Sequence, residues 1–137
     1  MNNDDKSWKG NVLVMDDEEG IREIAHDILQ YLGYSVGLAS DGNEAVDLYK
    51  KTKDTGGRFD AVIIDLTIKG GPGGLETITA LKSIDPSVKG IVSSGLSSDP
   101  VISDYRKYGF VAVMPKPYKI QEMKELLDRV ISSTHSG

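Results

Sequence analysis

Cysteine is absent from the 137 residues. That excludes a disulfide framework and any thiolate metal centre, and it permits a reducing compartment without requiring one. There is no strongly basic stretch either. The 21 acids outnumber the 16 bases for a formal net charge of −5, a balance that disfavours nonspecific contact with nucleic acid or an anionic membrane surface. No apolar run approaches the length of a membrane span, and the start Met1-Asn2-Asn3-Asp4-Asp5-Lys6 lacks the apolar core of a signal peptide, so a cytoplasmic location is expected. Internal repeats, low-complexity tracts and a domain linker are missing as well. A chain of this length then has room for one domain with one real core.

What is present alternates. Val12-Leu13-Val14-Met15 is a short apolar run stopped by Asp16-Asp17-Glu18-Glu19, after which Ile21, Ile24, Ala25, Ile28, Leu29 and Leu32 recur at helical spacing up to Gly33. Tyr34 to Ala39 reads as a second strand, and Asp41 with Glu44 three residues on reads as the N-terminal cap of a helix whose inner residues are Ala45, Val46 and Tyr49. The stretch from Phe59 to Thr67 carries a third strand that ends on Asp65 and dissolves into Gly70-Gly71-Pro72-Gly73-Gly74. Leu75, Ile78, Leu81 and Ile84 mark the helix that follows. A fourth strand, Val88 to Ser93, leads into a helix capped by Asp99-Pro100 and carrying Val101, Ile102, Tyr105 and Tyr108. The last strand, Val111 to Met114, stops at Pro115-Lys116-Pro117, prolines that suit an edge position, and Ile120, Met123, Leu127, Val130 and Ile131 form the inner stripe of a final helix. Five strand–helix units in unbroken succession imply an α/β fold, a parallel sheet covered by helices on both faces. The expected bounds are a flexible leader over residues 1–10, a domain over 11–132 and a flexible tail over 133–137.

In such a sheet the carboxyl ends of the strands lie along one edge, where ligands bind. Asp16 and Asp17 follow the first strand, Asp65 the third, Ser94 the fourth and Lys116 the fifth. Three carboxylates brought together repel one another, and oxygen ligands without cysteine point to Mg²⁺ as their partner. A strand-end carboxylate can also act as a nucleophile toward phosphorus, with the Ser94 hydroxyl and the Lys116 ammonium meeting the oxygens of the transferred group. Glu18 and Glu19 are better explained as acids favoured by the first helix's dipole.

The motifs Val14-Met15-Asp16-Asp17-Glu18-Glu19, Ile63-Ile64-Asp65-Leu66-Thr67, Ser93-Ser94-Gly95 and Lys116-Pro117-Tyr118, in that order, resemble the receiver domain of two-component response regulators, of the type attached to hybrid sensor histidine kinases. The resemblance spans Asn11 to about Ser132. It implies a flavodoxin-like (βα)5 three-layer sandwich with strand order 2-1-3-4-5, and Asp65 as the phosphoacceptor. It implies Mg²⁺ held by Asp16, Asp17, Asp65 and the backbone carbonyl of Thr67, phosphoryl contacts from Ser94 and Lys116, and a cis Lys116-Pro117 bond. The implied partners are a histidine kinase or histidine phosphotransfer domain, and neighbouring domains if the parent is a hybrid kinase, with no direct nucleic-acid or membrane contact. Enzymatic character would be limited to phosphotransfer onto its own Asp65 and autodephosphorylation, the hydrolysis of that phosphoryl group. Two positions depart from the family pattern. Val113 stands where a switch aromatic is usual, and Lys69 where proline is usual. The rival readings are a receiver-like interaction module without phosphorylation and an aspartate-nucleophile phosphatase, the latter lacking a second carboxylate at Thr67.

Overall fold

The computed structural model describes residues 8–66, 73–95 and 99–132. Its elements alternate along the chain: β1 Gly10–Met15, α1 Glu19–Leu32, β2 Tyr34–Ala39, α2 Gly42–Asp54, β3 Ala61–Asp65, α3 Gly74–Ile84, β4 Gly90–Ser94, α4 Pro100–Ser103, β5 Ala112–Pro115 and α5 Ile120–Ser132. A 3-10 helix, Tyr105–Tyr108, stands between α4 and β5. All strand pairs are parallel, in the order β2-β1-β3-β4-β5. This is the flavodoxin-like order, and β5, with Pro115, lies at an edge.

Alternation along the strands divides the domain's core into two layers, one on each face of the sheet, because successive side chains leave a strand on opposite faces. Val12, Val14, Ile63, Ile91, Ala112 and Met114 pack with Ala25 and Leu29 of α1 and Met123 and Leu127 of α5. Leu13, Met15, Val62, Ile64 and Val92 pack with Ala45 and Tyr49 of α2 and Ile78 and Leu81 of α3. β3 is buried at every residue, as a central strand covered on both faces must be.

The helix ends follow from local chemistry. Gly33 closes α1 in the left-handed conformation, φ 101°, which a side chain would resist. The Asp41 carboxylate accepts from Glu44 N–H at 2.8 Å, and the Glu44 carboxylate in turn accepts from Ser40 N–H at 2.6 Å. Tyr49 donates its hydroxyl to Asp85 at 2.7 Å, tying α2 to the turn after α3. Burial first, and then this bond, hold the Tyr49 phenol far above its ordinary pKa, while the same bond holds Asp85 below its own.

Four expectations are corrected. β1 starts at Gly10, two residues ahead of the expected run Val12 to Met15, and Lys9 is already engaged: its N–H donates to Gly33 O at 2.8 Å and its ammonium pairs with Asp128 at 3.6 Å. Ile24 is 49% exposed, because one residue's rotation of about 100° carries it off the stripe centred on Ala25 and Leu29. Ile120 is 48% exposed, in the first turn of α5 ahead of the residues that reach the sheet. The fourth helix is a single α turn that yields to 3-10 geometry at Asp104, whose φ of −115° and ψ of 33° leave the helical region. Ile102, Tyr105 and Tyr108 are spaced by threes, and 3-10 winding puts such residues on one line. The cap foreseen for this helix is present, with Val101 N–H donating to the Asp99 carboxylate at 2.9 Å.

Candidate functional site

β1, β3, β4 and β5 deliver their last residues to one edge of the sheet. Asp16 leaves β1 on the α1/α5 face, two residues beyond Val14, and Asp65 does the same beyond Ile63. Both are buried, Asp16 completely. The Lys116 ammonium bridges them, 2.7 Å from Asp16 Oδ2 and 3.3 Å from Asp65 Oδ1. Burial opposes the charge on Lys116, but the bond to Asp16 and the charge of Asp65 outweigh it and raise its pKa above the ordinary value. The backbone holds this lysine too, since Lys116 N–H donates to Ser94 O at 3.3 Å; the Lys116-Pro117 peptide is cis.

The other Asp16 oxygen, Oδ1, accepts from Glu18 N–H at 3.0 Å, and the Asp16 backbone carbonyl accepts from Arg22 at 2.6 Å. The turn between β1 and α1 is thereby folded around Asp16. It brings carboxylate oxygens of Asp16, Asp17 and Glu18 within 4.8 Å of one another. Glu18 is the N-cap of α1 but makes no side-chain cap bond. The helix dipole favours both Glu18 and Glu19, and the Glu18 carboxylate, free of any cap bond, lies beside the two aspartates. Asp16, Asp17 and Glu18 cluster in this turn, the Lys116 ammonium joins Asp16 to Asp65, and the Arg22 guanidinium sits on the Asp16 carbonyl, so four carboxylates stand against two cations among these described residues. The surplus negative charge, together with a buried Asp16 Oδ2 whose partner among the described residues is the ammonium alone, fits a hard divalent cation with oxygen ligands. Thr67 and Lys69 lie outside the described residues.

On β4, Ser94 pairs in register with Pro115, and Ser93 pairs with both Asp65 and Met114. The Ser93 and Tyr118 hydroxyls bond each other at 2.8 Å, and burial pushes the Tyr118 phenol up to about 12. Ser93 stood in the motif Ser93-Ser94-Gly95 with no role of its own, and Arg22 did not stand out in the sequence. The signal for Ser93 is alternation, which sets it on the face of its register partner Asp65, whereas nothing marks Arg22 in advance. Val113 pairs with Val92 and packs on the opposite, α2/α3 side.

A strand-end aspartate under a lysine, with an acidic turn beside it, is the arrangement the sequence motifs anticipate, and the response regulator receiver domain model matches residues 12–128. The chain belongs to that family. It is a phosphoacceptor receiver domain of two-component systems. A response regulator receiver protein of Anaeromyxobacter is 33% identical over 83% of this chain and 45% of its own length. The chemotaxis protein CheY of Thermotoga maritima is 32% identical, covering 87% of this chain and 95% of the relative. Sporulation initiation phosphotransferase F of Bacillus subtilis is 26% identical, covering 88% and 92%. This receiver thus spans about half of the first relative and nearly all of the other two. Among solved structures, the chemotaxis protein CheY4 of Vibrio cholerae superposes with a TM-score of 0.80 at 25% identity, covering 90% of this chain and 99% of that one. A receiver of a sensor histidine kinase from Pseudomonas aeruginosa, solved with magnesium in its active-site cleft, has the same fold at a TM-score of 0.78 and 22% identity, covering 90% and 98%. No helix among the described residues is long and apolar enough to cross a membrane.

Proposed function

We propose that Asp65 is the phosphoacceptor and that it takes its phosphoryl group from the phosphohistidine of a histidine kinase or histidine phosphotransfer domain. The observation that carries this reading is the Lys116 ammonium held 3.3 Å from Asp65 Oδ1 and 2.7 Å from Asp16 Oδ2 at the carboxyl edge of the sheet. A carboxylate oxygen of Asp65 forms the new O–P bond while the N–P bond of the donor breaks, and the leaving imidazole nitrogen keeps the electron pair. Lys116 offers its charge to the phosphoryl oxygens, and Ser94, the last residue of β4, offers a hydroxyl.

Asp16, Asp17 and Asp65, with the Thr67 carbonyl, would hold Mg²⁺, and Glu18 lies close enough to join them through water. When bound, the ion supplies divalent charge to an incoming group that is itself anionic. Family membership supports a histidine kinase or phosphotransfer protein as partner, and attachment to a hybrid kinase is the finer form of that proposal. A net charge of −5 supports a protein partner in the cytoplasm over nucleic acid. The test is the intact mass after incubation with acetyl phosphate, with and without Mg²⁺. One phosphoryl group should appear on the native protein when Mg²⁺ is present and none on Asp65→Asn. Equal labelling of that variant would sink the assignment.

A further inference from the structure

The loop from Pro115 to Lys119 carries Lys116, and two bonds tie it to β4 on consecutive residues. Lys116 N–H donates to Ser94 O at 3.3 Å, and the Tyr118 hydroxyl bonds Ser93 Oγ at 2.8 Å. Ser93 is completely buried and is the register partner of Asp65 on β3 and of Met114 on β5. Tyr118 packs against the α1/α5 core, the same face on which Asp16 and Asp65 leave their strands. Its hydroxyl reaches β4, the strand between Asp65 on β3 and the loop after β5. A small aliphatic residue, Val113, holds the strand-five position on the other face. The aromatic side chain joined to the site is therefore on the loop itself.

We infer that Tyr118 and Ser93 form a positioning pair, whose hydroxyl bond fixes the β5–α5 loop so that the Lys116 ammonium is held between Asp16 and Asp65. Neither side chain touches the reacting atoms; both act through Lys116. The physical ground is that a long flexible amine is a good electrostatic partner only where its anchor is fixed, and that small displacements of such a group have large effects on rate. The inference rests on the phosphoacceptor reading for its rate consequence, but the placement of the ammonium can be measured without any phosphoryl donor.

The experiment compares Tyr118→Phe, Ser93→Ala and the double variant with the native chain, by thermal melting, by acetyl phosphate labelling of Asp65 with Mg²⁺, and by proton–nitrogen correlation of the lysine ammonium in metal-free protein. Tyr118→Phe strands the completely buried Ser93 hydroxyl and Ser93→Ala the half-buried Tyr118 hydroxyl, so both should melt lower, the first by more; the double variant strands neither and should recover. Labelling should slow about tenfold in all three and stay slow in the double variant, because the hydroxyl tie is still missing and only the Lys116 N–H bond to Ser94 O remains. The Lys116 ammonium signal should broaden in all three. If rate returns together with stability in the double variant, or if the ammonium signal of Tyr118→Phe stays as sharp as the native one, the pair only fills and satisfies the core and the inference is overturned. A native chain that takes no label would instead refute the phosphoacceptor reading, and the ammonium signal would still decide whether the pair positions Lys116.

Discussion

Replacing Lys116 by methionine should destabilise the metal-free domain and, at the same time, tighten its hold on Mg²⁺. Methionine keeps an unbranched apolar stem and deletes the charge. What remains is the wholly buried Asp16 and the buried Asp65 with their shared cation gone. Breaking a buried ion pair from one side costs about 3–5 kcal/mol, and the lower end applies because the lysine side chain is 18% exposed at the sheet edge. About 3 kcal/mol in a domain of this size corresponds to a fall in Tm of about 10 °C. Mg²⁺ should repair part of that loss, since the variant no longer has a resident cation competing for the same carboxylates. A tenfold gain in Mg²⁺ affinity, about 1.4 kcal/mol, would cut the difference from the native protein to about half at saturating metal. Urea unfolding at pH 7 across a Mg²⁺ titration measures both quantities. A stability gap that is the same at zero and at saturating Mg²⁺, or weaker Mg²⁺ binding by the variant, would refute the view that Lys116 and the metal share these acids.

Asp17→Ala should weaken Mg²⁺ binding by calorimetry at least tenfold and Glu18→Gln by a few-fold, leaving Glu19→Gln near native; equal losses would mean a diffuse acidic patch. A Cβ at Gly74 would meet Asp65 O and Leu66 Cα at 2.9 Å, so Gly74→Ala should cost about 2 kcal/mol in chemical denaturation and slow phosphorylation, because α3 could no longer seat against the end of β3. Tyr49→Phe should cost about 1–2 kcal/mol at pH 7. Asp85 has a depressed pKa, so the stability it contributes is present above its unfolded value of 3.8 and is lost as pH falls below it; the gap between Tyr49→Phe and native protein should therefore close in acid unfolding below about pH 4. With beryllofluoride bound, hydrogen exchange should change more over residues 94–99 and the start of α4 than over Val111 to Met114, and equal changes would contradict a switch that does without a strand-five aromatic.

Strand positions were legible wherever chemistry punctuates both ends. β2 runs from Tyr34 to Ala39 as read, because Gly33 and Asp41 leave the chain no other place to turn. The acid and lysine positions were legible for the same reason, each being the first polar residue after an apolar run. Helix type was harder to read than helix presence. Ile102, Tyr105 and Tyr108 are compatible with α spacing within its tolerance, and only the backbone at Asp104 decides for the tighter winding. Pairwise geometry was not legible at all: no periodicity predicts that the Tyr118 hydroxyl finds Ser93, or that Glu18 at the N-cap turns toward the aspartates rather than capping its helix.

The engagement of Lys9 has a consequence for how such a domain can be wired. Its ammonium meets Asp128 in the last turns of α5, and the small cavity beside it, lined by Lys9, Tyr34, Asp128, Ile131 and Ser132, brings the first and last described elements together. Entry into β1 and exit from α5 therefore share one pole, at the opposite end of the strands from the acid cluster. A fold whose two threads emerge side by side can be strung into a longer polypeptide without being pulled open, and cargo carried on either thread starts out on the far side from the acid cluster.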